Sequence, residues 1–226
     1  MDGKALSVLK RLSHLKELVI MDTGKVRYTP VNGPAWKAIA DVQSLKTLTL
    51  YLVPIESIAF REACVGDGFQ ALTELSLTNG SMKDPALANM KNLVSLEILD
   101  LSWNSITDVV FKRIYGLPQL REIDVGSCKR IKTIPPLIEL PSLEKLSMSG
   151  TKISDASIRN VSMFPRLKCL DISFCNISMV GFRHLFDTQL TRVRCWCNKS
   201  ITADQRDEIK RKMKPCIVDD DYSVKV

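Results

Sequence analysis

The spacing of leucines constrains this chain more than any other feature. The pattern Leu-x-x-Leu-x-Leu, with conservative exchanges, starts at Leu15, Leu45, Leu72, Leu96, Leu120, Leu143, Leu167 and Leu190. The steps between these first leucines are 30, 27, 24, 24, 23, 24 and 23 residues. A fading ninth copy, Met213-Cys216-Val218, follows 23 residues after the eighth. Such a period marks stacked supersecondary units, none of which can bury its apolar face alone. Within each unit the second and third apolar positions alternate, which predicts a short strand with one buried face.

The pattern is fullest in Leu96-Glu97-Ile98-Leu99-Asp100-Leu101-Ser102-Trp103-Asn104-Ser105-Ile106. Over nearly its whole length the chain resembles the leucine-rich repeat family. The resemblance implies an α/β solenoid, with a curved parallel sheet on the concave face and helices and irregular segments on the convex face. Three positions after the third apolar residue stand Gly80, Asn104, Cys128, Thr151, Cys175 and Asn198. In the family an Asn, Cys or Thr here bonds to backbone groups that would otherwise be buried unsatisfied. Thr23 and Val53 hold this place in the first two units and depart from the pattern.

The return segments carry a second period. Ile106-Thr107-Asp108 and the residues to Ile114 combine a capping residue with apolar residues at helical spacing. Ile153-Ser154-Asp155 and Ile201-Thr202-Ala203-Asp204 begin alike. These units resemble the cysteine-containing subtype known from F-box substrate receptors, related to ribonuclease-inhibitor-like repeats. The fifth unit differs, because Pro135 and Pro136, before Leu137, oppose a helix there. The array therefore reads as mixed, in one solenoid over 1–226. Residues 1–14 form an N-terminal helix or the remnant of a preceding repeat, with Leu6, Leu9 and Leu12 on one face. Eight repeats fill 15–203, and 204–226 cap the end. The cap is expected to comprise a polar helix from Asp204 to Met213, an edge strand at Cys216-Ile217-Val218, and the like charges Asp219, Asp220 and Asp221, which discourage further pairing. The long first and second units carry Tyr28 to Pro34 and Val53 to Gly68 as candidate lateral lips.

Composition narrows the functional classes. With 226 residues, 45% of them hydrophobic, the chain can bury a core and is not disordered. No apolar run approaches the roughly 18 residues of a membrane span, so no membrane partner is expected. The start lacks a signal-peptide pattern. Seven cysteines, an odd number in no clustered framework, favour free thiols and a reducing compartment. The expected location is intracellular, cytoplasmic or nuclear.

Enzyme constellations are missing. His14 and His184 are the two histidines and lie about seven units apart. Gly66-Asp67-Gly68 is an isolated turn signal, not a phosphate loop. Cys195 and Cys197 fall on opposite strand faces with no further ligands nearby, so they do not form a metal site. Cys128 and Cys175 are two units apart and cannot bridge. No catalytic residue, metal or cofactor is expected.

What remains is a surface. In the unit Leu-x-x-Leu-x-Leu-x-x, the fifth position reads Val19, Thr49, Ser76, Asp100, Asp124, Ser147, Asp171, Arg194. The seventh reads Met21, Tyr51, Thr78, Ser102, Gly126, Ser149, Ser173, Trp196. The eighth reads Asp22, Leu52, Asn79, Trp103, Ser127, Gly150, Phe174, Cys197. All three columns are expected to face away from the core. An acidic centre at Asp100, Asp124 and Asp171 then lies beside Trp103, Phe174, Trp196 and Arg194. Ser127, Ser149 and Gly150 leave a shallow depression between the aromatics. Exposed aromatics beside polar groups suit an interface hot spot.

The net charge of +7 raises nucleic acid as a partner. Its location argues otherwise. Residues 1–79 carry nine basic and eight acidic side chains, whereas 190–214 carry eight and three. A phosphate-tracking groove would be basic along its length. The leading expectation is thus a non-enzymatic module that binds a protein partner through its concave face. The F-box resemblance implies ubiquitin-ligase substrate recognition as one version, and phosphatase-regulating repeat proteins are an equally generic likeness. The alternative is a structural subunit of a large assembly, ribonucleoprotein included, docking through Lys210, Arg211 and Lys212. A third reading is a fragment of a longer receptor array.

Overall fold

The computed structural model describes residues 6–22, 30–136 and 139–220. Among them nine strands form one parallel sheet in chain order. These are β1 (Glu17–Met21), β2 (Thr47–Tyr51), β3 (Glu74–Thr78), β4 (Ile98–Asp100), β5 (Glu122–Asp124), β6 (Lys145–Ser147), β7 (Cys169–Asp171), β8 (Arg192–Arg194) and β9 (Ile217–Asp219). The register stacks equivalent repeat positions without a slip, as in Leu48↔Leu75, Leu99↔Ile123 and Leu170↔Val193. A one-residue slip would turn every leucine outward, so burial of one face fixes the register.

The return segments carry α1 (Gly33–Ala40), α2 (Ser57–Ala63), α3 (Val109–Arg113), α4 (Asp155–Ile158), α5 (Met179–Arg183) and α6 (Ala203–Lys212), with 3-10 turns at Asp84–Asn92 and Arg159–Met163. The repeat leucines and the apolar residues of these segments make one continuous core from end to end. Between β5 and β6 the described residues contain no helix, as Pro135 and Pro136 require.

Over their described residues, 30–34 and 53–68, the long units are partly helical. Their extra residues build α1 and α2 and bury Val31, Trp36, Ile55 and Phe60. Trp36 and Phe60 pack with ring centroids 4.7 Å apart, and Phe69 completes the cluster at 6.5 Å from each. A full helix stands further from the sheet than a tight turn, and aromatic rings fill the wider gap.

The ends differ from expectation in detail. Leu6 and Leu9 pack on the core, but Ser7–Arg11 is a 3-10 turn and Leu12 is exposed. At the other end α6 has a capping box, Thr202 accepting from the Gln205 N–H and Gln205 accepting from the Thr202 N–H. The last strand starts one residue later than expected, at Ile217. Asp219 and Asp220 do more than repel, because Asp219 lies 3.8 Å from Arg192 and Asp220 lies 2.9 Å from Lys210. The expectations for residues 1–5, Thr23, Tyr28, Thr29, Leu137 and 221–226, with Asp221, lie outside the described residues.

The loop spine matches its expected chemistry. Asn104 is buried and accepts the N–H groups of Gly80 and Met82. It donates to the carbonyls of Leu77, Leu101 and Ser102. Asn198 accepts from Ile177 and donates to Ile172 and Cys195. Cys128 and Cys175 make the thiol version, donating to Leu101 and Met148. Burial pushes the Cys128 thiol up to about 11 and raises that of Cys175, so both stay protonated donors.

Candidate binding face

The exposed side of β4 to β8 forms a groove of about 520 Å3, lined by two residue columns. The fifth-position column contributes Asp100, Asp124, Ser147, Asp171 and Arg194. The third-position column contributes Ile98, Glu122, Lys145, Cys169 and Arg192. Sequence reasoning missed this second column, although the two-residue period of a strand places positions three and five on one face.

Each groove aspartate also ends its strand. Asp100 accepts the Ser102 N–H at 2.9 Å, Asp124 the Gly126 N–H at 2.7 Å and Asp171 the Ser173 N–H at 2.9 Å. These side chains tighten the turn of the chain just after position six. In the units that carry such an aspartate the seventh position is turned in, and it is buried as well in the third unit, where Ser76 stands in the aspartate's place. Thr78, Ser102 and Ser173 are buried there, contrary to the expectation that they face out. Trp196 belongs to this column. It is half-buried, with its backbone N–H donating to the Ser173 hydroxyl at 3.2 Å, and does not stand out with the other two aromatics.

The eighth column makes the rim. Leu52, Asn79, Trp103, Ser127, Gly150, Phe174 and Cys197 all have a left-handed backbone there. The sheet ladder continues through this turn, as Trp103 N–H donates to Gly126 and Phe174 N–H to Trp196. Trp103 is 63% exposed and Phe174 47%. Between them the depression at Gly150 is crossed by Lys129, whose ammonium donates to the Gly150 carbonyl at 2.7 Å.

The groove is electrically uneven. Lys145 sits on Glu122 at 2.6 Å, Arg194 is 4.0 Å from Asp171 and Arg192 faces Asp219. Asp100 and Asp124 sit on neighbouring strands in register, and no ion pair holds either one among the described residues. The carboxyl of Asp124 is raised, first by burial and further by the charges of Asp100 and Asp171. A Cβ at Gly126 would lie 2.9 Å from the Asp124 carboxylate.

The other candidate residues lie elsewhere. Lys210, Arg211 and Lys212 form the last turn of α6, where cations suit the helix dipole. His14 lies before β1, and His184 caps the far end of α5. Cys195 is buried and Cys197 exposed, and burial pushes the Cys195 thiol up to about 12. Among the described residues no three His, Cys, Asp or Glu side chains converge as a metal site would require. No helix of the described residues is long and apolar enough to cross a membrane.

Sequence reasoning also missed a carboxylate ladder on the return side. Asp84 accepts from Thr107 N–H and hydroxyl, Asp108 from Lys132 N–H and from Thr133, and Asp155 from Ser178. Each ties its unit to the next. Asp108 therefore cross-links units and makes no cap bond within its own helix.

A family model described as Leucine Rich repeat matches residues 92–109, which hold β4, Trp103, Asn104 and the start of α3. An internalin, InlF, from Listeria monocytogenes is similar in structure over 95% of this chain, with a TM-score of 0.66 and 19% identity. The TLR13 chain in a complex with ssRNA13 is similar over 86%, with a TM-score of 0.58 and 21% identity. This chain spans 63% and 27% of those two chains, so it is shorter than two thirds of either. At these identities the likeness is one of fold.

Proposed function

Since this chain is a leucine-rich repeat solenoid, we propose that it is a non-enzymatic recognition module that binds one protein partner through the exposed face of its sheet. The observation that carries the reading is the pair Asp100 and Asp124. They stand in register on neighbouring strands and face an open groove, and the half-buried Asp124 carries a cost of ionisation that shows in its raised carboxyl pKa. A partner that supplies the missing positive charge turns that cost into affinity. Trp103 and Phe174 on the rim provide aromatic anchors of the kind that dominate interface energies. The repeats hold these groups in place before binding, which limits the entropy lost on association. Asp171 and Arg194 line the far half of the same groove, and Trp196 supports the rim beneath Phe174.

The alternative docking end is less favoured. Lys210 is already engaged by Asp220, which leaves Arg211 and Lys212 as its exposed cations with no ion pair among the described residues. The test compares the native chain with a W103S/D124N double variant as bait in affinity purification from the native source. Partners identified by mass spectrometry on the native bait should be lost from the variant. Equal recovery on both baits overturns the reading. Loss on a K210E/R211E/K212E bait alone would favour the basic end.

A further inference from the structure

We infer that the occupant of this face is an extended segment of the partner protein. It places a lysine or arginine on Asp100 and Asp124 and two apolar side chains, four residues apart, against Trp103 and Phe174. The inference rests on the sheet-face reading above and specifies its partner.

Charge complementarity sets the first requirement. The exposed columns of β3 to β5 hold Glu74, Asp100, Glu122 and Asp124, and the neighbouring cation Lys145 is spent on Glu122. The arginines of β8 face Asp171 and Asp219. Acidic charge is what the groove leaves over. A single metal ion does not suit it, because one oxygen of each aspartate is held by a backbone N–H. The second oxygen of Asp100 accepts from Ser76 at 3.5 Å. An ammonium or guanidinium needs only the outer lone pairs that remain.

Spacing sets the second requirement. Trp103 and Phe174 follow β4 and β7, three strands apart, or about 14 Å at the usual strand separation. An extended chain carries residues i and i+4 about 13.5 Å apart on one face. A helix reaches that distance at about i+9, where the two side chains point in opposite directions. The left-handed rim position of Trp103 and Phe174 is filled by Asn79, Ser127 and Gly150 in neighbouring units, and bulky residues are the least suited to it.

A displayed library of random twelve-residue peptides, panned on the full chain, tests the inference. Enriched peptides should share a Lys or Arg and an apolar pair at i and i+4. Synthetic copies should lose about tenfold in affinity on D124N and on W103S, the loss of one charge-assisted contact or one anchor. Both variants should fold, since Asn keeps the acceptor for Gly126 and Ser127 already occupies the equivalent left-handed position. An acidic consensus, a helical spacing or no enriched family overturns the inference. Peptides of another type that are lost on R194A leave the sheet-face reading standing while this one falls. Peptides indifferent to D124N, W103S and R194A overturn both.

Discussion

Asn104 shows how much one side chain can hold. Its five hydrogen bonds satisfy two N–H groups and three carbonyls inside the turn. Asn104→Ala should cost about 3 kcal/mol, because several buried backbone groups lose their partners together. Cys128→Ala should cost about 1 kcal/mol, since the thiol serves one carbonyl. Urea midpoints of the two variants check the ranking, and equal costs would contradict it. Asp124 has the opposite sign. Its folded pKa is raised, so the ionised carboxylate weakens the native state above that pKa, and protonation at lower pH removes the penalty. D124N should therefore raise the melting temperature at pH 7 by about 2 °C. The gain should shrink as pH falls through the carboxylate range. A lower melting temperature at pH 7 would show that the charge supports the fold. The fifth column was legible from alternation alone. The seventh was not, because the aspartate side chains tighten the turn there, and Ser102 and Ser173 lie buried. The third column followed from the same alternation, and only its omission hid Glu122 and Arg192.

At the scale of elements, the period located every strand, and the register carried the leucines to their places. The return segments were harder to read. Pro135 and Pro136 announced a unit without a helix. Asp108 and Asp155 lie where local caps were expected and Asp84 was not singled out at all, and the contacts of all three to the next unit depend on how far apart the stacked loops lie, which no single unit encodes. The long units hid their helices behind loop-like sequence at Pro34 and Pro54. Their cores depend on the cluster of Trp36, Phe60 and Phe69. Phe60→Ala should cost about 4 kcal/mol. The loss should loosen the N-terminal units first, because each unit leans mainly on its neighbours. Hydrogen exchange should show faster exchange in 33–63 than in β7 and β8. Uniform acceleration along the chain would mean that the solenoid unfolds as a single cooperative block.

For the whole molecule, the net charge of +7 is a poor guide to the partner. Much of the excess lies at the C-terminal end, where Arg192 and Arg194 on β8 face Asp219 and Asp171, Lys210 is paired with Asp220, and Arg211 and Lys212 close a helix. The open sheet face between β3 and β5 is acidic, and its rim carries two exposed aromatics. Position within the solenoid decides what a partner meets. The most direct test is hydroxyl-radical footprinting of the chain with and without the partner recovered by affinity purification. Trp103, Phe174 and Tyr115 are all exposed, and Tyr115 follows α3 on the return side. Partner binding should suppress oxidation of Trp103 and Phe174 and leave Tyr115 unchanged. Protection of Tyr115 with Trp103 and Phe174 still oxidised would place the partner on the other side of the solenoid and contradict the account.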